Sequence, residues 1–517
     1  MATGLKLATR LALAAVALAC GIASPVRAAS LADCHHRING TEKRLLECIK
    51  ASALWHHLEN LQKIADENPG ARGHGNRDTG TQGYLASVSY VADLMQQAGY
   101  RVHIQSYPWK RSKTIGTPHF TIDGHDYAEA KDWFVADLSG SGAVEAPVAV
   151  PRKGKRNSQS QAGCTSAAFR GFTRGDVALL RRGACDFDTQ IANAERAGAS
   201  AVILYNDRPA PDSGSSYRKH ADGGAFPARL SQEAHIPVVG VVSHALGASL
   251  AAQSLSGRAP VAKIGFRTEI KSGTDYNVIA DSPFGDADHT VILDAHLDSI
   301  YGAGILDNGS GSATILEIAL SLASTPTKNR LRYIWFGGEE IALLGSRYYT
   351  HALGRGELKK IAFDIDADVT ATPNYVVLIA DPGHAHNKAK FPPNVIPDSQ
   401  IGNRAFSRYF RTIGIPARVA SFGNDGTDSL AFSLAGVPNT GILTQQNCCK
   451  HDWEVRLWGG FTGNFEGKIP GRNGGCVDWP RRWCDNLANN NRVVLEFVSK
   501  AVADVAFQFA NDATLGR

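Results

Sequence analysis

A strand–helix–strand rhythm after Tyr276 constrains this chain more than any other feature of its sequence. Val278–Ala280, Thr290–Asp294, Leu331–Phe336, Ile361–Ile365 and Thr440–Leu443 read as buried strands, and stretches between them such as Ala313–Ala323 read as helices. Strands alternating with helices imply a mainly parallel sheet covered on both faces. Such sheets bind ligands beyond the carboxyl ends of their strands, so chemistry is expected in the polar residues that follow each apolar run.

Four of those strand ends carry metal-ligand side chains. His296 and Asp298 form an H-x-D after Val291-Ile-Leu-Asp-Ala, and Asp307 follows in Gly304-Ile-Leu-Asp-Asn-Gly-Ser-Gly, just before a helix. Glu339-Glu340 follow Ile334-Trp-Phe-Gly-Gly, and Asp368 closes the run from Ile361. One such residue alone reads as a helix cap or a turn residue; four sets at successive strand ends read as a metal centre. A pair of zinc ions roughly 3.5–4 Å apart needs a carboxylate bridging both, with histidine and carboxylate ligands at each. In an H-x-D the imidazole can bind metal while the Asp accepts its other N–H and fixes the ring. Of two adjacent glutamates, one can ligate metal while the other acts as general base.

These motifs, His296-Leu-Asp-Ser, Asp307-Asn-Gly-Ser-Gly-Ser-Ala and Gly337-Gly-Glu-Glu-Ile-Ala-Leu-Leu-Gly-Ser, resemble the co-catalytic di-zinc exopeptidases among secreted bacterial aminopeptidases. Asp368 with Ala371-Thr-Pro-Asn-Tyr, and Asp428 with Ala435-Gly-Val-Pro, resemble later segments of that family. The resemblance implies an α/β fold, a mainly parallel mixed sheet sandwiched by helices, and two zinc ions per chain. It also implies roles: His296 and Asp368 on one zinc, Glu340 on the other, Asp307 on both. Glu339 is then the base toward a water bridging the metals, and Asp298 orients His296. The implied reaction is hydrolysis of the N-terminal peptide bond. A carboxypeptidase or dipeptidase of the same fold, a single-zinc glutaminyl cyclase, and a catalytically silent binding protein are the alternatives.

The fifth ligand departs from the family pattern, which ends in Cys-Tyr-His, a second Cys and Asp-Asn-Leu. Here the stretch runs Cys476-Val477-Asp478 to Cys484-Asp485-Asn486-Leu487, so Asp478 falls where the His is expected and Val477 where the Tyr is. Zinc accepts carboxylate oxygen as well as imidazole nitrogen. His451, which follows Cys448-Cys449, is the alternative ligand.

The rest of the chain bounds the setting. Lys6 and Arg10, the apolar run Leu11–Ala23 and Val26-Arg27-Ala28 have the layout of a secretory signal peptide over residues 1–28. The apolar run is shorter than the roughly 20 residues a bilayer span needs, and Ala17-Leu18-Ala19-Cys20 is a poor lipobox. A secreted or periplasmic protein, off the membrane after cleavage, is expected. Loss of Lys6, Arg10 and Arg27 lowers the formal charge from +5 to +2. The one basic cluster, Arg152-Lys153-Gly154-Lys155-Arg156, lies among Gly, Ser and Gln and reads as a solvated loop. Nucleic acid is therefore not an expected partner; peptides or proteins are, as substrates. Eight cysteines remain, and an even count in an exported chain argues for disulfides, most simply Cys34–Cys48, Cys164–Cys185 and Cys476–Cys484.

Ahead of the strand–helix region, Leu54, Leu58, Leu61 and Ile64, then Tyr90, Leu94 and Met95, recur at helical spacing, and Tyr100–Tyr107 reads as a strand. From Trp133 short strands, Val177-Ala-Leu-Leu and Ala201-Val-Ile-Leu among them, accompany one helix, Thr189–Ala197, in a stretch punctuated by Gly, Ser and Pro. Gly175-Asp-Val-Ala-Leu-Leu-Arg-Arg-Gly-Ala-Cys-Asp-Phe and Asn193-Ala-Glu-Arg-Ala-Gly-Ala resemble the protease-associated domain. The expected organisation is a signal peptide (1–28), the first part of the catalytic domain (29–132), a β-rich protease-associated insert (133–268) and the main catalytic domain (269–517).

Overall fold

The computed structural model describes residues 31–70, 73–151, 161–207, 224–300, 302–385, 388–420, 427–446, 448–466 and 484–516. The signal segment, the basic loop 152–156, Cys476, Val477 and Asp478 lie outside them.

Helices α1 (Leu31–His36), α2 (Glu42–Leu46), α3 (Ala51–Glu67) and α4 (Gln82–Gln97) open the described chain. Leu54, Leu58, Leu61 and Ala65 put one face of α3 into the core, the stripe an amphipathic helix needs. Thr41 and Thr81 cap α2 and α4, their side chains accepting the backbone N–H of Arg44 and Tyr84. Strand β1 (Arg101–Ile122) runs well past the expected Tyr100–Tyr107. Beyond Tyr107 it buries few side chains and is held by its backbone ladder to β7, so no apolar alternation marks it.

After β2 (His125–Asp126), the insert contains β3 (Gly142–Ala149), β4 (Val177–Arg181), α5 (Phe187–Ala197), β5 (Ala201–Tyr205), β6 (Val238–Val242) and α6 (His244–Leu255). Strands β3 to β6 lie side by side and parallel, around cores of their own that include Trp133, Leu179, Ile203 and Val239 in one and Phe169, Leu180 and Val241 in the other. Helix α5 begins at Asp186, whose carboxylate accepts Thr189 N–H, and ends at Gly198 with φ of 81°, a left-handed stop that glycine adopts without a Cβ penalty. The returning strand β7 (Val261–Asp281) pairs antiparallel with β1 along most of its length and with β3 at its start. That ribbon joins the insert to the catalytic domain.

The catalytic domain continues with β8 (Asp286–His296), α7 (Ser310–Leu322), β9 (Asn329–Phe336), α8 (Leu344–Ala352), β10 (Ile361–Ala367), β11 (Leu378–Ala380), α9 (Val395–Thr412), β12 (Arg418–Ala420), α10 (Ser429–Ala435), β13 (Asn439–Leu443), α11 (Asp452–Trp458) and α12 (Arg492–Asn511). Sheet order is β12-β11-β13-β10-β8-β9-β7. The central strands β13, β10, β8 and β9 are parallel; β7 and β11 run antiparallel to their neighbours β9 and β13. Val291, Leu293 and Ala295 of β8 and Phe363, Ile365 and Ala367 of β10 join the main core beneath α7 and α12. On the opposite face Ile292, Ile334 and Phe336 meet Tyr349 and Phe432 from α8 and α10. Full burial of such a side chain stabilises by about 1.5–3 kcal/mol. Because the central strands are parallel, their carboxyl ends converge on one edge.

Candidate metal centre

His296 is the last residue of β8, and Asp368 follows the end of β10 directly. Asp307 lies in the irregular segment Ile305–Gly309 that leads into α7. Nε2 of His296 is 3.1 Å from Asp307 Oδ1 and 3.6 Å from Asp368 Oδ1. The three ligand atoms lie within 4.8 Å of one another. Asp368 Oδ1 is buried, and its nearest cationic neighbour, His296 Nε2 at 3.6 Å, stands beyond ordinary hydrogen-bond distance, a shortfall that a cation would remedy. One imidazole and two carboxylates suit zinc, so the residues present fit the metal.

Burial pulls the His296 imidazole toward neutrality, but the charge of Glu339 and the close carboxylates of Asp298, Asp307 and Asp368 outweigh it and raise its pKa well above the ordinary value. His296 Nδ1 meets the main-chain oxygen of Asp298 at 3.0 Å, while the Asp298 carboxylate stands 3.6 Å away. The expected H-x-D contact is thus made first through the backbone carbonyl. The carboxylate is occupied elsewhere: it accepts Thr79 Oγ1–H at 3.1 Å and the Glu339 N–H at 3.2 Å.

Glu339 sits on the turn after β9, with Oε2 4.0 Å from His296 Nε2. Burial raises its pKa well above the usual carboxylate range, and the nearby charges of Glu340, Asp428 and Asp368 raise it further against the opposing pull of His296. The Gly337-Gly338 pair before it has a steric reason: a methyl on Gly337 would overlap the hydroxyls of Tyr84 and Tyr107, and Gly338 has φ of 67°. Asn308 then ties two ligand segments together. Its Nδ2 donates to Ala367 O at 2.9 Å, and its Oδ1 accepts Val369 N–H at 3.1 Å and Gly311 N–H at 2.9 Å. Asp307 and Asp368 are therefore held through their neighbours.

The sheet face under the site is acidic. Asp294 on β8, Asp364 and Asp366 on β10 and Asp428 before α10 are all fully buried. Desolvation, with the charges of neighbouring carboxylates, raises the first three well above the carboxylate range; burial, with the charges of Asp298 and Asp368 and against the pull of His296, raises Asp428 to about 7. Burial and like charges in such a group both favour the protonated form. The run Ile361–Ile365 reads as apolar in sequence because Phe363 and Ile365 alternate with these acids.

The expected ligands do not all gather. Among the described residues the three-residue cluster includes neither Glu340, although it adjoins Glu339 with Oε1 buried, nor His451. His451 is exposed at the start of α11, where its N–H donates to Glu454 Oε2 at 2.8 Å. Cys34–Cys48 and Cys164–Cys185 are disulfides, and Cys484 is disulfide-bonded as well. Sequence reading missed Thr79 and the role of Asn308. Thr79 lies in a loop with no local signal, whereas Asn308 stands inside a motif already singled out.

A cluster able to hold a metal at the carboxyl ends of a parallel sheet, a buried glutamate beside it and a second domain spliced between β1 and β7 fit the class of metal-dependent peptidases. Residues 277–459 match peptidase family M28, and residues 144–250 match the PA domain. An aminopeptidase of Pseudomonas aeruginosa is 32% identical over 466 residues, 89% of this chain and 81% of that protein. A probable lipoprotein aminopeptidase of Mycobacterium tuberculosis is 31% identical over 420 residues, 80% of this chain and 77% of that one. Among solved structures, an aminopeptidase from Aneurinibacillus sp. strain AM-1 shares the fold with a TM-score of 0.66 at 20% identity, covering 92% of this chain and 97% of its own. A zinc aminopeptidase from Bacillus subtilis does so with a TM-score of 0.55 at 20% identity, covering 90% and 96%. The chain belongs to peptidase family M28. It is a metallo-exopeptidase with an inserted PA domain.

Proposed function

We propose that this protein is an exported, two-zinc aminopeptidase that removes single residues from peptide N-termini. The observation that carries the reading is the close approach of His296, Asp307 and Asp368 within 4.8 Å at the strand ends, in a chain whose relatives over four-fifths or more of its length are named aminopeptidases. Two disulfides support folding in an oxidising compartment, and no helix among the described residues is long and apolar enough to cross a membrane.

In this reading His296 and Asp368 would hold one zinc, Glu340 and Asp478 the other, with Asp307 shared between them. Bound there, zinc supplies Lewis acidity toward a peptide carbonyl and lowers the pKa of water. Glu339, with its raised pKa, takes the proton from the attacking water and returns it to the departing amine nitrogen. Asp298 fixes the base by accepting its backbone N–H.

Aminoacyl-nitroanilides, their N-acetylated forms and blocked dipeptides, assayed alongside zinc analysis, test the proposal. Cleavage of the free-amine substrates alone, abolished by chelator and restored by zinc, is expected. Activity that survives prolonged chelation removes the zinc reading; equal cleavage of N-acetylated substrates removes the aminopeptidase assignment.

A further inference from the structure

The loop between His296 and Asp307 carries a cluster residue at each end, and two side chains from distant parts of the chain bind its backbone. Arg77, fully buried in the segment before α4, donates Nη1–H to Leu297 O at 2.6 Å, Nε–H to Ala303 O at 2.7 Å and Nη2–H to Gly304 O at 2.6 Å. Its own backbone is tied to the same loop, Ser299 N donating to Arg77 O at 3.2 Å and Arg77 N to Ser299 Oγ at 3.1 Å. Asp485, 1% exposed, accepts the Leu306 N–H at 2.6 Å and the Asp307 N–H at 3.1 Å, one on each carboxylate oxygen. Asp485 is fixed in turn, because Cys484 is disulfide-bonded and Leu487 N donates to Gln62 Oε1 at 2.9 Å.

The geometry points to Arg77 and Asp485 as a paired clamp that pre-forms the bridging position of Asp307 and thereby sets zinc affinity. The inference rests on the zinc reading above and extends it to two residues outside the ligand set. The guanidinium closes three carbonyls and the carboxylate closes two amides of one loop. Bonds in which one partner is charged are shorter and about twice as strong as neutral ones. A buried arginine would ordinarily be costly; here the charge of Asp485, with Asp298 and Asp78 nearby, offsets part of its desolvation. Neither residue is among the three cluster side chains; Asp485 meets Asp307 only at its backbone N–H. Both are positioning residues, and they act on the distance between His296 and Asp307.

Asp485→Asn and Arg77→Lys test this with zinc affinity as the readout, by competition against a chromogenic chelator, alongside kcat, KM and the melting temperature of the zinc-free proteins. Asn replaces one of the two acceptors with a donor facing an N–H, and Lys reaches fewer of the three carbonyls. Zinc affinity is expected to fall about 10- to 100-fold, the usual range for groups that orient metal ligands, with kcat falling alongside and KM changing little. A merely structural role would lower the zinc-free melting temperature and leave affinity in the folded fraction unchanged. Affinity within twofold of the parent in a folded variant overturns the clamp. Amide exchange in the unmutated chain decides the matter even if both variants fail to fold. After chelation the amides of Leu306 and Asp307 should stay as protected as those of α7, whereas their rapid exchange overturns the clamp. A parent chain that binds no zinc would instead defeat the proposed function, so the two failures are distinct.

Discussion

The backbone N–H of Glu339 donates to Asp298 Oδ1 at 3.2 Å. Asp298 therefore does more than face the imidazole two residues earlier in the chain: its carboxylate joins the end of β8 to the turn after β9. Its other oxygen accepts the Thr79 hydroxyl at 3.1 Å. Asp298→Asn keeps the volume but turns one acceptor into a donor, which must face either Thr79 or Glu339. Because Asp298 is not a proposed ligand, kcat should fall about 10- to 100-fold with zinc content near that of the parent. Steady-state kinetics and metal analysis check this; an unchanged kcat would show that the contact positions nothing.

Adjacent glutamates should separate cleanly. Glu339→Gln removes a proton acceptor and should lower kcat by about 10²- to 10⁴-fold while zinc stays bound. Glu340→Gln should lose metal first and activity as a consequence. Equal loss of zinc in both variants would mean that the assignment of base and ligand is wrong.

The clustered residues His296, Asp307 and Asp368 were legible in the sequence because strand ends and ligand types are local. Val291 to His296 shows both its apolar run and its terminal histidine within a few residues. The long-range part was not legible. Thr79 reaches Asp298 across more than 200 positions, and nothing in the stretch around Thr79 marks it as part of a site. Asp364 and Asp366 were hidden differently, since their burial on an acidic sheet face depends on what α8 and α10 place opposite them. The length of β1 escaped for a third reason: its outer half is held by backbone pairing to β7, which leaves no hydrophobic pattern.

A pH dependence should follow from carboxyls remote from the metal. Burial, together with the charge of Glu42 and against the hydrogen bond from Gln508, raises the pKa of Asp504 on α12 to about 6, above the roughly 3.9 of an unfolded aspartate. Its protonation favours the folded state. The contribution is full below about pH 4 and is lost as pH rises through 6. Asp504→Asn imitates the protonated form, so its stability relative to the parent should increase between about pH 4 and about pH 7 and then level off. Urea unfolding of the zinc-free proteins measures this; a difference independent of pH would refute it.

The fifth ligand is the remaining discriminating test. The cysteines and Asp485-Asn486-Leu487 align Asp478 with the family's final histidine, and Asp478 lies outside the described residues. His451 is exposed, with its backbone engaged at the start of α11 by Glu454, and it is not in the metal cluster. To ligate, it would have to leave the surface, whereas an aspartate in the 476–484 segment needs only the position that the family's histidine takes. A carboxylate there adds a negative charge to a site already rich in acids, which strengthens metal retention while making the zinc a weaker Lewis acid. Asp478→Ala should therefore lower zinc stoichiometry toward one ion per chain and reduce activity with it, whereas His451→Ala should leave both unchanged. Asp478→His should restore the second zinc and raise kcat above that of Asp478→Ala. Metal loss in His451→Ala with full retention in Asp478→Ala would hand the position to His451, and full retention in both would indicate that the second zinc is held without either residue.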